Sequence, residues 1–151
     1  MATDAKLQAW FTFLQAHDAV VEALDQDLRE RVDMPLADYE VVLHLGRADG
    51  GTLRMHELAD AVLLSASGTT RAVDRLVHAG LVERVPDTAD GRVTRVSLTA
   101  LGRRHQRAAA PVHLAGVRAR FLDALSPQQA RDLRTSMRAI LHANDRTERM
   151  L

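Results

Sequence analysis

The sequence predicts a mainly α-helical fold with one small β-hairpin, and two observations carry the prediction. Apolar residues recur at helical spacing through most of the chain, and two β-branched runs flank the turn signal Asp90-Gly91: Leu81-Val82-Glu83-Arg84-Val85 and Val93-Thr94-Arg95-Val96-Ser97-Leu98. At 151 residues and 46% hydrophobic, the chain can bury one core, so 1–151 is expected to form a single domain.

In chain order, Leu7, Trp10, Phe11, Leu14, Val21, Leu24, Leu28 and Val32 mark an amphipathic helix over about 5–31. Met34-Pro35 interrupts it. Tyr39, Val42, Leu43 and Gly46 lie on one face of a second helix that stops before Asp49-Gly50-Gly51, and Met55 to Val62 reads as a short third. Ser65 then caps a fourth helix, whose apolar side carries Ala66, Thr69, Val73, Leu76 and Val77. Its other side presents Ser67, Arg71, Asp74 and His78, and Gly80 stops it. After the hairpin, Thr99 starts a helix toward residue 122, which Pro111 should bend near 107–111. Ser126-Pro127-Gln128-Gln129 opens the last helix as a capping box, and Leu133, Met137, Ile140 and Leu141 supply its buried face.

Helix, turn, helix and hairpin in that order make a winged helix-turn-helix over 36–98, whose second helix is shaped to enter a DNA major groove. Hydroxyls at Ser65, Ser67, Thr69 and Thr70 suit phosphates or base edges, Arg71 can fork onto guanine, and Arg75 adds charge. At the hairpin tip Arg92 is placed to enter a minor groove, with Asp90 orienting it by pairing with Arg92 or a nearby arginine. Asp74, on the groove side, is expected to pair with Arg71 or Arg75 or to read a cytosine amino group. The same fold also serves winged-helix modules that bind protein without DNA, which is the alternative.

Charge is distributed to match. The net charge is zero, yet residues 1–64 hold 5 basic and 12 acidic side chains while 65–107 hold 8 basic and 4 acidic. A local basic region matters more to a polyanion than the total. Cysteine is absent, which excludes disulfides, zinc–thiolate sites and thiol-based sensing. No glycine-rich phosphate loop or GxSxG elbow occurs, so no enzyme and no cofactor are expected. His56-Glu57 lacks a second histidine at metallohydrolase spacing, and His105 and His113 stand about 12 Å apart on a straight helix, so no metal site is expected. The opening MATDAKLQAW has no leader pattern and no segment approaches the roughly 20 apolar residues of a membrane span, so a cytoplasmic protein is expected.

Glu57-Leu58-Ala59, Thr70-Arg71, Asp74-Arg75-Leu76, Gly80-Leu81-Val82-Glu83-Arg84 and the phrase DGRVTRVSLTALG (residues 90–102) together resemble the MarR family of bacterial transcription regulators. The resemblance covers about 36–103 by motif and the flanking helices by pattern. It implies a homodimer built by the helices at 5–31 and 99–146, and a nucleoid-associated regulator, expected to repress, on a palindromic double-stranded DNA operator that a small molecule relieves. Members often carry serine or threonine where this chain has Ala37 before the second helix, and the oxidant-sensing branch that uses cysteine is excluded. The resemblance also implies an effector site between the dimer helices and the DNA-binding lobe, for which Trp10, His17, Tyr39, His44 and His113 are the candidates. Each of these residues also fits a purely structural role.

Overall fold

The structure, a computed structural model, describes residues 2–147. Helix α1 (Ala2–Val32) leads to α2 (Leu36–Arg47), strand β1 (Thr52–Arg54), α3 (Met55–Ala61) and α4 (Ala66–His78). The hairpin β2 (Val82–Pro86) and β3 (Thr94–Leu98) follows, then α5 (Ala100–Val117), a π-helical turn at Arg118–Leu122 and α6 (Pro127–Ala143). The chain falls into two compact units, Met1–Gly116 and Val117–Leu151, where the sequence suggested one domain.

In the first unit α1 ends at Asp33, whose φ of 51° reverses the chain and lets the Met34 amide reach the Leu28 carbonyl at 3.3 Å. Pro35 and Ala37 give α2 no capping side chain of its own. Asp25 of α1 supplies one instead, accepting a bond from the Leu36 amide at 2.8 Å. Burial pushes the Asp25 carboxyl up, but its bonds to Arg29 and Leu36 outweigh that and leave it below the usual carboxylate value.

Leu28, Tyr39, Val41, Val42, Leu45, Leu58, Val73 and Leu76 form the core with Val82, Val96 and Leu98 of the sheet and Ala109 of α5. The apolar stripe of α1 is buried only toward its C-terminal end, at Leu24 and Leu28; Leu7, Trp10, Phe11, Leu14 and Val21 stay exposed. The sheet is antiparallel in the order β1-β3-β2, with Thr52 opposite Ser97, Arg54 opposite Arg95, and Arg84 opposite Val96. Strand β1 was not announced by the sequence, because three residues are too few to establish an alternation, and neither was the π-helical turn, which replaces the end of a helix expected to run toward residue 122.

Gly80, at φ 71°, ends α4 as expected. The base of the wing is locked by Thr99, whose hydroxyl oxygen accepts from the Gly102 amide at 3.0 Å and lies 2.8 Å from the Gly80 carbonyl, to which it donates. Here α5 approaches so closely that a Cβ on Gly102 would lie 1.9 Å from the Leu81 carbonyl oxygen. Pro111 does not split α5, which runs unbroken to Val117. Pro111 and Arg107 are both exposed, so the Arg107 carbonyl that loses its donor can turn to water.

In the second unit the capping box is present: Ser126 Oγ accepts from the Gln129 amide at 3.2 Å, and Gln129 Oε1 accepts from the Ser126 amide at 2.9 Å. The face at Leu133, Met137, Ile140 and Leu141 is not buried as expected, and no described residue of α6 is. An amphipathic helix with an uncovered apolar face needs another surface to cover it.

Candidate nucleic-acid interface

Helix α4 is strongly two-sided. Thr69, Ala72, Val73 and Leu76 are buried, while Ser67, Arg71, Asp74 and His78 are exposed. Ala66, which the spacing put on the buried side, is exposed too. Ser65 caps the helix, its Oγ accepting from the Gly68 amide at 3.0 Å and standing 3.3 Å from Ser67 Oγ. Thr70 is exposed and donates to the Ala66 carbonyl at 3.1 Å.

Thr69 corrects the sequence reading: it is fully buried and its hydroxyl donates to the Ser65 carbonyl at 3.0 Å, so it packs in the core and presents nothing to DNA. Arg75 is engaged as well. Its Nε and Nη2 grip Asp38 Oδ1 of α2 at 3.1 and 2.5 Å, which raises the arginine pKa through that hydrogen bond and ties the fourth helix to the second. Asp74 pairs with neither Arg71 nor Arg75; it accepts from Arg84 Nη2 of β2 at 2.6 Å. That bond crosses from α4 to the wing, and its solvent exposure makes it worth at most about 1 kcal/mol.

The wing is organised by a residue the sequence reading passed over. Asp87 is buried, and its Oδ2 accepts from Arg54 Nε at 2.8 Å and Arg95 Nη1 at 3.0 Å. Its Oδ1 accepts from the amides of Ala89 at 2.7 Å and Asp90 at 3.2 Å. Arg54, the Ala89 amide and Arg95 hold this carboxyl far below the ordinary carboxylate range. A signal was present, since Pro86-Asp87-Thr88 after a strand is a sequence in which aspartate bonds amides two and three residues on. Asp90 Oδ1 accepts from the Arg92 backbone amide at 3.0 Å; among the described residues it makes no hydrogen bond or ion pair with a guanidinium group, and its charge acts on Arg54 through space.

Arg71 and Arg92 remain. Both are exposed, and among the described residues neither guanidinium has a hydrogen bond or ion pair. One cation thus stands on the open face of α4 and one at the wing tip, each with all five donors available.

The five other candidate residues divide. Tyr39 of α2 and His113 of α5 come together with ring centroids 4.7 Å apart, and burial raises the tyrosine pKa and lowers that of the histidine. His44 stands 3.8 Å from Glu40 on the same helix. Trp10 and His17 are linked through Phe13, at centroid distances of 6.1 and 6.2 Å, on the exposed part of α1. Among the described residues no cluster of three or more His, Asp or Glu could hold a metal ion, and no helix is long and apolar enough to cross a membrane.

A helix-turn-helix followed by an antiparallel hairpin defines a winged-helix protein. The chain belongs to the MarR family of transcriptional regulators, which are DNA-binding proteins and not enzymes. The MarR family model matches residues 32–93. AbsC, a MarR family transcriptional regulator from Streptomyces coelicolor, is 30% identical, superposes with a TM-score of 0.87, and the match covers 94% of this chain and 95% of AbsC. Sco3205, a MarR family regulator from the same organism solved in complex with DNA, is also 30% identical, with a TM-score of 0.83 over 89% of this chain and 84% of that one. BpsR from Bordetella bronchiseptica, whose structure concerns regulation of its DNA binding by 6-hydroxynicotinic acid, shares the fold at 20% identity, with a TM-score of 0.75 over 88% and 98%. No curated protein matches the chain in sequence.

Proposed function

We propose that two copies of this chain bind a palindromic operator in double-stranded DNA and repress transcription there until a small molecule releases them. The observation that carries this reading is the pair of guanidinium groups without a hydrogen bond or ion pair among the described residues, Arg71 on α4 and Arg92 on the wing. Arg71 forks onto guanine O6 and N7 in the major groove, Ser65, Ser67 and Thr70 meet phosphates or base edges at the helix N-terminus, and Arg92 enters the neighbouring minor groove. Arg75 holds α4 in place through Asp38.

Dimer formation is supported by the uncovered apolar side chains of α1, Leu7, Trp10, Phe11, Leu14 and Val21, and by the uncovered face of α6. A two-fold dimer presents its recognition helices to successive major grooves about 34–36 Å apart, and operator symmetry follows from protein symmetry. An effector that favours a different spacing weakens binding by its differential affinity for the two states, and about 1–3 kcal/mol of coupling suffices. Trp10, His17, Tyr39, His44 and His113 are the residues proposed to meet it. Ligand control in BpsR supports the existence of an effector, and the pairing of Tyr39 with His113 supports the choice of those two residues. The site of action is the bacterial cytoplasm, at the nucleoid.

Fluorescence anisotropy against the intergenic DNA beside the gene, with scrambled competitor and at two salt concentrations, tests the reading. Competitor-resistant binding of one dimer per site, falling steeply with salt, is expected. Flat salt dependence, or no preference over scrambled DNA in a genome-wide selection, would mean that the winged helix meets protein instead.

A further inference from the structure

Within 36–98, Leu63 is the one large apolar side chain left exposed, at 83% of its full surface. The other exposed large apolar residues among those described lie on α1, α5, α6 or the π-helical turn. The local chain explains the exposure: Val62 is buried and Leu64 packs on the core, so the bend between α3 and α4 turns the side chain between them outward. An isolated exposed leucine is ordinary on a protein surface, and it is the position that makes this one informative.

Leu63 stands two residues before the Ser65 cap, at the end of α4 that approaches DNA, and the exposed residues that follow, Ser65, Ala66 and Ser67, are small. From Ala61 to Thr70 the chain carries no charged side chain; the first is Arg71. Recognition at this end therefore rests on hydroxyls, amides and hydrocarbon. Among base edges in the major groove, the apolar feature is the C5-methyl group of thymine.

We infer that Leu63, together with the Ala66 methyl group, reads a thymine methyl in each half of the operator. The inference rests on the DNA-binding reading above and adds a base preference to it: an A·T pair in each half-site, beyond the base read by Arg71.

The test begins with an operator selected from random duplexes by the full-length protein. Each thymine is then replaced by uracil symmetrically in both half-sites, which removes the methyl group and keeps every hydrogen-bonding group. At one symmetric pair, uracil should weaken the wild type about fourfold per methyl group, or about fifteenfold for the two half-sites. Leu63→Ala should lose a similar amount on the thymine operator, lose most of the uracil penalty there with only the Ala66 share left, bind scrambled DNA like the wild type, and keep its melting temperature, since the side chain is exposed. The inference is overturned if no uracil substitution matters, if Leu63→Ala retains the full uracil penalty, or if Leu63→Ala leaves operator affinity untouched. Failure to enrich any sequence would instead overturn the DNA-binding reading itself, so the two failures are distinguishable.

Discussion

Arg54 of β1 stands directly opposite Arg95 of β3, and both guanidinium groups close on the same oxygen of Asp87. Like charges facing each other across a ladder repel. The carboxylate turns that repulsion into a clamp that joins the first strand to the third, while its other oxygen holds the amides of the wing turn. The loop that carries Arg92 is thereby fixed to the sheet.

Asp87→Asn keeps the shape of the side chain and removes its charge. The substitution makes the protein less negative, so simple electrostatics predicts tighter DNA binding. The expected result is the opposite: weaker operator binding by anisotropy and a lower melting temperature, because Arg54 and Arg95 are left facing each other without a counter-charge. Tighter binding would show that the clamp does not position the wing.

The same carboxylate sets an acid limit. Its pKa is lower folded than unfolded, so its stabilisation is complete above the ordinary aspartate value of about 4 and is lost as pH falls from there toward the folded value. The Asp87 contribution to stability should be flat from pH 8 to 5 and decline only below about pH 4, as read from the difference between wild-type and Asp87→Asn melts.

His113 titrates in a different window. Burial against Tyr39 lowers its pKa, so the unfolded chain takes up the proton first, and stability falls as pH drops below about 6.5. Thermal melts between pH 8 and 5 should show this loss, and His113→Gln should flatten it.

Gly102→Ala places a methyl group where the Leu81 carbonyl oxygen lies, 1.9 Å away, so α5 must shift from the base of the wing. Destabilisation of about 3 kcal/mol or more is expected from chemical denaturation. Gly91→Ala, with nothing within 4 Å of its added carbon, serves as the control and should change stability little.

Arg71→Ala and Arg92→Ala separate two kinds of contact without affecting the fold, since neither side chain has an internal partner among the described residues. Loss of a guanine contact at Arg71 should cost roughly 10- to 100-fold in operator affinity for each half-site, compounding over the two, and relax preference at one base per half-site. Loss of Arg92 should weaken binding to all sequences and reduce the salt slope, as a groove or phosphate contact does.

Much of this molecule was determined by the sequence alone: the order of helices, the caps at Ser65 and Ser126, the stop at Gly80, the hairpin, and the exposed face of α4 with Arg71. All of these arise from interactions between residues a few positions apart, which periodicity and turn chemistry record directly. Tertiary structure alone decided which polar side chains are free. Thr69 reads as one more hydroxyl in a row but faces the core, Arg75 reads as a DNA contact but grips Asp38 from 37 positions away, and Asp87 reads as a loop residue but binds Arg54 across 33. Strand β1 exists only because β3 pairs with it, some 43 residues on. The exposed stripes of α1 and α6 look in sequence like any core-facing helix, since periodicity specifies that a face is apolar and leaves open what surface covers it.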